Sequence, residues 1–141
     1  MRLVSSLPVR RLSVGPVDPP FQLLALVVRS TLRAARHRLR DHLAAHGLDP
    51  DDACLLLSEL VGNALLHGGD SAAVVWEVRG DRLYIGVADG SPAELALVPD
   101  GGERDGGRGL FLVDLLAVEW GVRPLGESGK EIWCELAVKA A

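Results

Sequence analysis

Leu57-Ser58-Glu59-Leu60-Val61-Gly62-Asn63-Ala64-Leu65-Leu66-His67-Gly68 is an apolar helical stretch that carries an acid, an amide and an imidazole at every fourth position. At that spacing Glu59, Asn63 and His67 project from nearly one face, where a core helix would present only apolar side chains. A metal-nucleotide site accounts for such a row. A carboxylate can polarise an attacking oxygen, and an amide oxygen can hold a hard cation such as Mg²⁺.

Upstream of this helix, Asp49-Pro50-Asp51-Asp52 supplies a cap, a proline for the first turn and acids that favour the positive end of the helix dipole. Before that, Leu32, Ala35, Leu39, Leu43 and Ala44 keep helical spacing from an N-cap at Ser30 or Thr31 to a stop at Gly47. Phe21 to Val28 is apolar and partly β-branched, as in a buried strand, and residues 1–20 contain Pro8, Pro16, Pro19 and Pro20, which predict an extended arm. The domain proper is then residues 21–141.

Downstream, residues 72–78 and 82–87 read as two strands joined by a tight hairpin at Gly80-Asp81. Asp89-Gly90-Ser91-Pro92 turns out of the second strand, and the glycine-rich segment that follows reads as a mobile loop of the kind that covers a ligand. Residues 109–117 resume helical spacing, and residues 119–123 and 131–138 are two further strands around Gly126 to Gly129. Hairpin-paired strands with inserted helices predict an α+β two-layer sandwich, with a mixed but mainly antiparallel sheet and helices on one face.

The 141 residues suit one domain with a real core, and 48% hydrophobic with 24% charged residues is the balance of a globular protein. No apolar run approaches the roughly 18 to 20 residues of a membrane span. A net charge of −4 offers no overall footprint for nucleic acid. Arg29, Arg33, Arg36, Arg38 and Arg40 concentrate positive charge locally, either as a solvated helix face or as a docking surface for an acidic protein. Cys54 and Cys134 lie far apart in apolar patterns, and Met1 to Ser6 lacks the features of a secretory signal, so a cytoplasmic protein with reduced thiols is expected.

Two more clusters share the chemistry of the helix. At Asp89-Gly90 a carboxylate can accept from an exocyclic amine while glycine lets a flat ring approach the backbone. At Gly106-Gly107-Arg108-Gly109-Leu110 a glycine-rich turn opens into a helix, whose amides and dipole suit phosphate. Each is weak alone. In this order, with a flexible loop between the last two, they are far more specific.

These motifs resemble the GHKL superfamily, whose ATP-binding (Bergerat) fold is shared by DNA gyrase, the heat-shock chaperone, histidine kinases and the mismatch-repair ATPase. The 59–67 helix resembles its N box, Asp89-Gly90-Ser91-Pro92 its G1 box and Gly107-Arg108-Gly109-Leu110 its G2 box. Ser58-Glu59-Leu60-Val61, Asn63-Ala64, His67, Trp120-Gly121 and Gly129-Lys130 before Ile132-Trp133 look more closely like the anti-sigma-factor serine/threonine kinases. That branch includes many stand-alone ATP-binding regulators of actinobacteria. The likeness spans residues 21–138.

The resemblance implies ATP and Mg²⁺ as cofactors, with Asn63 as the metal ligand and Glu59 as general base toward a serine hydroxyl or water. It implies that Asp89, beside Gly90, reads the adenine amine, that Gly107, Arg108, Gly109 and Leu110 wrap the phosphates, and that residues 93–106 form a lid. His67 is open between lining the nucleotide pocket and bonding the last helix carbonyls, and Lys130 between reaching a phosphate and standing exposed on its strand. Partners implied are a sigma factor and an anti-anti-sigma protein of the STAS type, with no direct nucleic acid or membrane contact, and a homodimer is compatible with the exposed arginine face. Two positions depart from the pattern: Ser91 replaces a glycine of the G1 turn, and Glu131 stands where the family commonly has threonine, which is expected to add negative charge near Asp89. Those departures motivate the alternative of a regulatory binding module, nucleotide-dependent or nucleotide-free, without kinase activity.

Overall fold

The computed structural model describes residues 25–68, 70–91 and 105–141. The expected arm over residues 1–20, the start of the strand at Phe21 and residues 93–104 of the lid expected over 93–106 lie outside the described residues, as do the side chains of Ala25, Leu26, His67, Asp105 and Arg108, while residues 105 and 106 belong to a helix and not to a lid. The elements are β1 (Ala25–Val27), α1 (Leu32–Ala45), α2 (Asp51–Gly68), β2 (Ala72–Arg79), β3 (Arg82–Asp89), α3 (Asp105–Leu116), β4 (Glu119–Pro124) and β5 (Lys130–Ala137).

Helix α1 buries Ala35, Leu39 and Leu43, a stripe at four-residue spacing that leaves its arginines on the outer faces. Thr31 is its N-cap residue, yet the hydroxyl turns back to a short 3₁₀ turn at Arg29–Thr31, accepting from the Val28 N–H at 2.9 Å. The helix ends as expected at Gly47, whose φ of +69° allows the Schellman pair Gly47 N–H to Ala44 O and Leu48 N–H to Leu43 O, both at 2.9 Å. Helix α2 is capped by Asp49, whose Oδ1 accepts from the Asp51 N–H at 3.0 Å.

The five strands form one sheet in the order β1-β2-β3-β5-β4, and all four pairings are antiparallel. Strand alternation divides the sheet into two faces. Ala72, Val74 and Trp76 of β2, Leu83, Ile85 and Val87 of β3, Ile132, Cys134 and Leu136 of β5, and Trp120 and Val122 of β4 join the core together with α1, α2 and α3. This is the expected α+β sandwich with helices on one face. Among the described residues no helix is long and apolar enough to cross a membrane.

One boundary differs from the sequence reading in a way that touches the site. The glycine-rich segment was expected to be a turn that opens into a helix near Gly109, but α3 begins at Asp105 and takes the glycines into its first turns. Leu110 and Val113, 2% and 0% exposed, anchor the helix on the core. Glycine lowers helix propensity by only about 1 kcal/mol per residue, too little to stop the extra turn. The amides that lack an intrahelical acceptor therefore fall at the helix start, around Asp105 to Gly107, not at Arg108 to Leu110.

Candidate nucleotide site

Glu59 and Asn63 lie one turn apart on α2. Glu59 is half-buried and lines a groove of about 550 Å³ between α1 and α2, together with Arg36, Arg40, His37 and Ser58. Arg36 Nη1 donates to Ser58 Oγ at 3.4 Å, Ser58 Oγ donates to the Cys54 carbonyl at 3.0 Å, and Arg40 faces Asp51 at 3.5 Å. The acid thus opens onto a groove with a cationic wall.

Asn63 is 2% exposed and engaged by its surroundings, and its Oδ1 is a buried acceptor to which no hydrogen bond runs. An amide oxygen in that setting suits a hard cation. Among the described residues no three His, Cys, Asp or Glu side chains converge on a metal position. A magnesium ion here would take Asn63 Oδ1 and draw its remaining ligands from phosphate oxygens and water, the usual manner for this ion. The donor chemistry fits a metal that arrives with a nucleotide.

At the other end of the site, Asp89 closes β3 opposite Lys130, the first residue of β5. The sequence left Lys130 as a phosphate ligand or an exposed lysine, and the structure contradicts the exposed alternative: the side chain is fully buried and its Nζ is paired with Asp89 Oδ2. Lys130 Nζ also donates to Ser91 Oγ at 2.7 Å, and the Ser91 N–H and hydroxyl donate to Asp89 Oδ1 at 2.7 and 2.5 Å. The register explains the burial, because antiparallel partners share a face and Asp89 points to the helix side. Gly129 makes the approach possible, since it has φ +114° and a Cβ there would lie 2.0 Å from the Asp89 carbonyl oxygen.

Glu131, expected beside Asp89, instead pairs with Ala88 and points to the opposite face of the sheet. There Glu131 Oε1 lies 3.1 Å from Arg123 Nη2 and accepts from the Tyr84 hydroxyl at 3.1 Å, while Arg123 Nη2 also donates to Tyr84 at 3.1 Å. Trp133 stacks near-parallel to Tyr84 with ring centroids 6.0 Å apart. Gly86 makes room for this group, as a Cβ on it would meet Glu131 Oε2 at 2.7 Å. Sequence reading assigned no role to Tyr84 or Arg123. The signal that could have found them is the pairing of β3 and β4 with β5, once Asp89 is set opposite Lys130.

Burial pushes the Glu131 carboxyl up, and this outweighs the downward pull of Arg123 and of the Tyr84 hydrogen bond. Tyr84 is raised as well, first by burial and then by Glu131. Glu131 therefore keeps its proton to higher pH in the folded chain than in the unfolded one. Between those two values the folded state binds more protons, so stability falls as pH rises through the window above the ordinary carboxylate value of about 4.3. Glu131→Gln is expected to flatten that part of the curve in urea titrations run across pH, and a variant curve parallel to the wild type would refute the assignment.

Of the residues read as a site, the structure brings Asp89, Gly90 and Lys130 together at the junction of β3 and β5, and sets Glu59 and Asn63 along α2. The side chains of His67 and Arg108 lie outside the described residues, Gly107 and Gly109 fall in the first turns of α3, and Leu110, expected to wrap the phosphates, is instead in the core. Cys134 has its thiol pushed up to about 12, chiefly by burial, and Cys54 is raised for the same first reason, so neither is a ready nucleophile. A family model described as "Histidine kinase-like ATPase domain" matches residues 28–135, a span that holds Glu59, Asn63, Asp89 and Lys130. No curated protein matches the chain.

Proposed function

The chain belongs to the histidine kinase-like ATPase domain family, and on that premise we propose that it is an ATP-binding anti-sigma factor with serine/threonine kinase activity toward an anti-anti-sigma protein of the STAS type. Membership in this family suggests ATP binding, typically with Mg²⁺. The observation that carries the kinase reading is Glu59 on the rim of the α1–α2 groove, one turn from the buried amide of Asn63.

Asn63 Oδ1 would hold a magnesium ion at α2, and that ion, when bound with the nucleotide, would supply positive charge for phosphoryl transfer. Glu59 accepts the proton of the substrate hydroxyl as its oxygen bonds to phosphorus and the bond to ADP breaks. Arg36 and Arg40 draw an acidic substrate segment into the groove beside Glu59. In this reading the free amides at the start of α3, around Asp105 to Gly107, with Arg108 and Gly109 in the same helix, would bind the phosphates, and His67, in the last turn of α2, would be a further nucleotide ligand. The protein acts in the cytoplasm, binds a sigma factor, needs no direct nucleic acid or membrane contact, and can work as a homodimer.

The test is transfer of labelled γ-phosphate from ATP to candidate antagonist proteins by the full chain and by Glu59→Gln. Loss of a general base is expected to slow transfer by roughly 10²- to 10⁴-fold. Transfer that persists at the wild-type rate in the variant would overturn the role of Glu59.

One observation favours a second reading. Asp89 is already satisfied by Lys130 and Ser91, which suits a regulatory binding module whose surface is set with or without nucleotide and which has no kinase activity. Mg-ATP binding without transfer to any cognate antagonist would select it.

A further inference from the structure

The base end of the site contains an ammonium where a nucleobase amine is expected to dock. Asp89 Oδ2 accepts from Lys130 Nζ and Oδ1 from both donors of Ser91, so three of the roughly four acceptor positions of the carboxylate are taken within the chain. The group is a closed ring: Lys130 donates to Ser91 Oγ at 2.7 Å, and Ser91 Oγ passes its own proton toward Asp89 Oδ1 at 2.5 Å. Neither the Asp89 nor the Lys130 side chain has any exposed surface. Ser91, which replaces a glycine of the family pattern, supplies the hydroxyl that closes the ring. Gly129 draws the start of β5 against Asp89 and Gly90 and aims Lys130 inward.

We propose that Lys130, with Ser91, is a specificity-determining residue that occupies Asp89 as an internal substitute for the exocyclic amine of adenine. The inference rests on the nucleotide reading above. A purine triphosphate then gains little from its 6-amino group, because that group must compete with a buried ammonium already hydrogen-bonded on the same carboxylate. The wild-type chain is accordingly tolerant at the base and selects its ligand mainly by the triphosphate. Removing the ammonium returns an acceptor to the amine, and a hydrogen bond to a charged group restores discrimination of about tenfold or more.

The experiment is calorimetric titration of the full chain with Mg-ATP and with the Mg complex of purine riboside triphosphate, which lacks the 6-amino group. Wild type is expected to prefer ATP by less than about threefold, and Lys130→Met by about tenfold or more. Lys130→Met leaves a buried carboxylate without its counter-charge and can fail to fold, so Ser91→Gly is the second variant: it retains the ion pair and the backbone N–H bond to Oδ1, removes the hydroxyl bond and so returns one acceptor position of Oδ1, and shifts the ratio the same way. The ratio of the two ligands separates recognition from stability, since a merely structural defect weakens both. Strong preference for ATP in wild type, or ratios unchanged in both variants, overturns the role of Lys130 while leaving ATP binding in place. A wild-type chain that binds neither triphosphate overturns the nucleotide reading, and this inference with it.

Discussion

Asn63→Ala is expected to weaken Mg-ATP binding by about 10- to 100-fold, the loss that follows when a partner of a charged group is removed. The amide is 2% exposed and its Oδ1 is a buried acceptor, so alanine removes the oxygen without opening the helix to water. Alanine has the better helix propensity by a few tenths of a kcal/mol, which offsets part of the packing lost. The unfolding midpoint without nucleotide should stay within a few degrees of wild type, while the added stability from a given concentration of Mg-ATP shrinks. Calorimetry with Mg-ATP and a parallel melt check both halves. Unchanged affinity in a folded variant would exclude Asn63 from the metal site.

The largest effect on stability is expected at Gly129. A Cβ there would lie 2.0 Å from the Asp89 carbonyl oxygen and 2.7 Å from Gly90 Cα, on a residue with φ +114°. Backbone atoms cannot swing aside as a side-chain tip can, so the steric cost adds to the left-handed strain. Gly129→Ala should cost about 3 kcal/mol or more. For a domain with about 5–15 kcal/mol in total, that is a substantial share. Gly80→Ala is the control, since Gly80 also has positive φ, +63°, but a Cβ there meets nothing within 4 Å. It should cost about 1–2 kcal/mol, the strain alone. Urea denaturation of both variants tests the comparison, and equal losses would show that the approach of β5 to Asp89 is not what constrains Gly129.

The fold was legible where local periodicity carried it. The apolar spacing of Leu32 to Leu43, the Asp49-Pro50 start and the Gly80-Asp81 hairpin each rest on neighbours within a few residues, and each is found in place. The row of Glu59 and Asn63 was legible for the same reason. What local pattern could not give was register between distant strands. Asp89 meets Lys130 across 41 residues of sequence, and that one pairing decides that Lys130 faces the helices and Glu131 faces away. A single-residue slip would exchange them. The helix start at Asp105 was missed because glycine reads as a breaker, whereas the burial of Leu110 and Val113 tips a small local preference.

The two departures at the base end also acquire distinct meanings. Ser91 belongs to the ring around Asp89, and Glu131 belongs to a separate polar group on the far side of the sheet. Charge at Glu131 therefore acts on Tyr84 and Arg123 and not on the site.

The claim on which all else depends is that this chain binds ATP at α2 and the end of β3. Titration of the wild-type full chain with ATP, once with Mg²⁺ and once with the metal chelated, tests it most directly. Single-site heat that is weakened when magnesium is withdrawn is expected, with a matching rise in thermal stability under saturating Mg-ATP. Absence of both heat and thermal shift at millimolar Mg-ATP would contradict it.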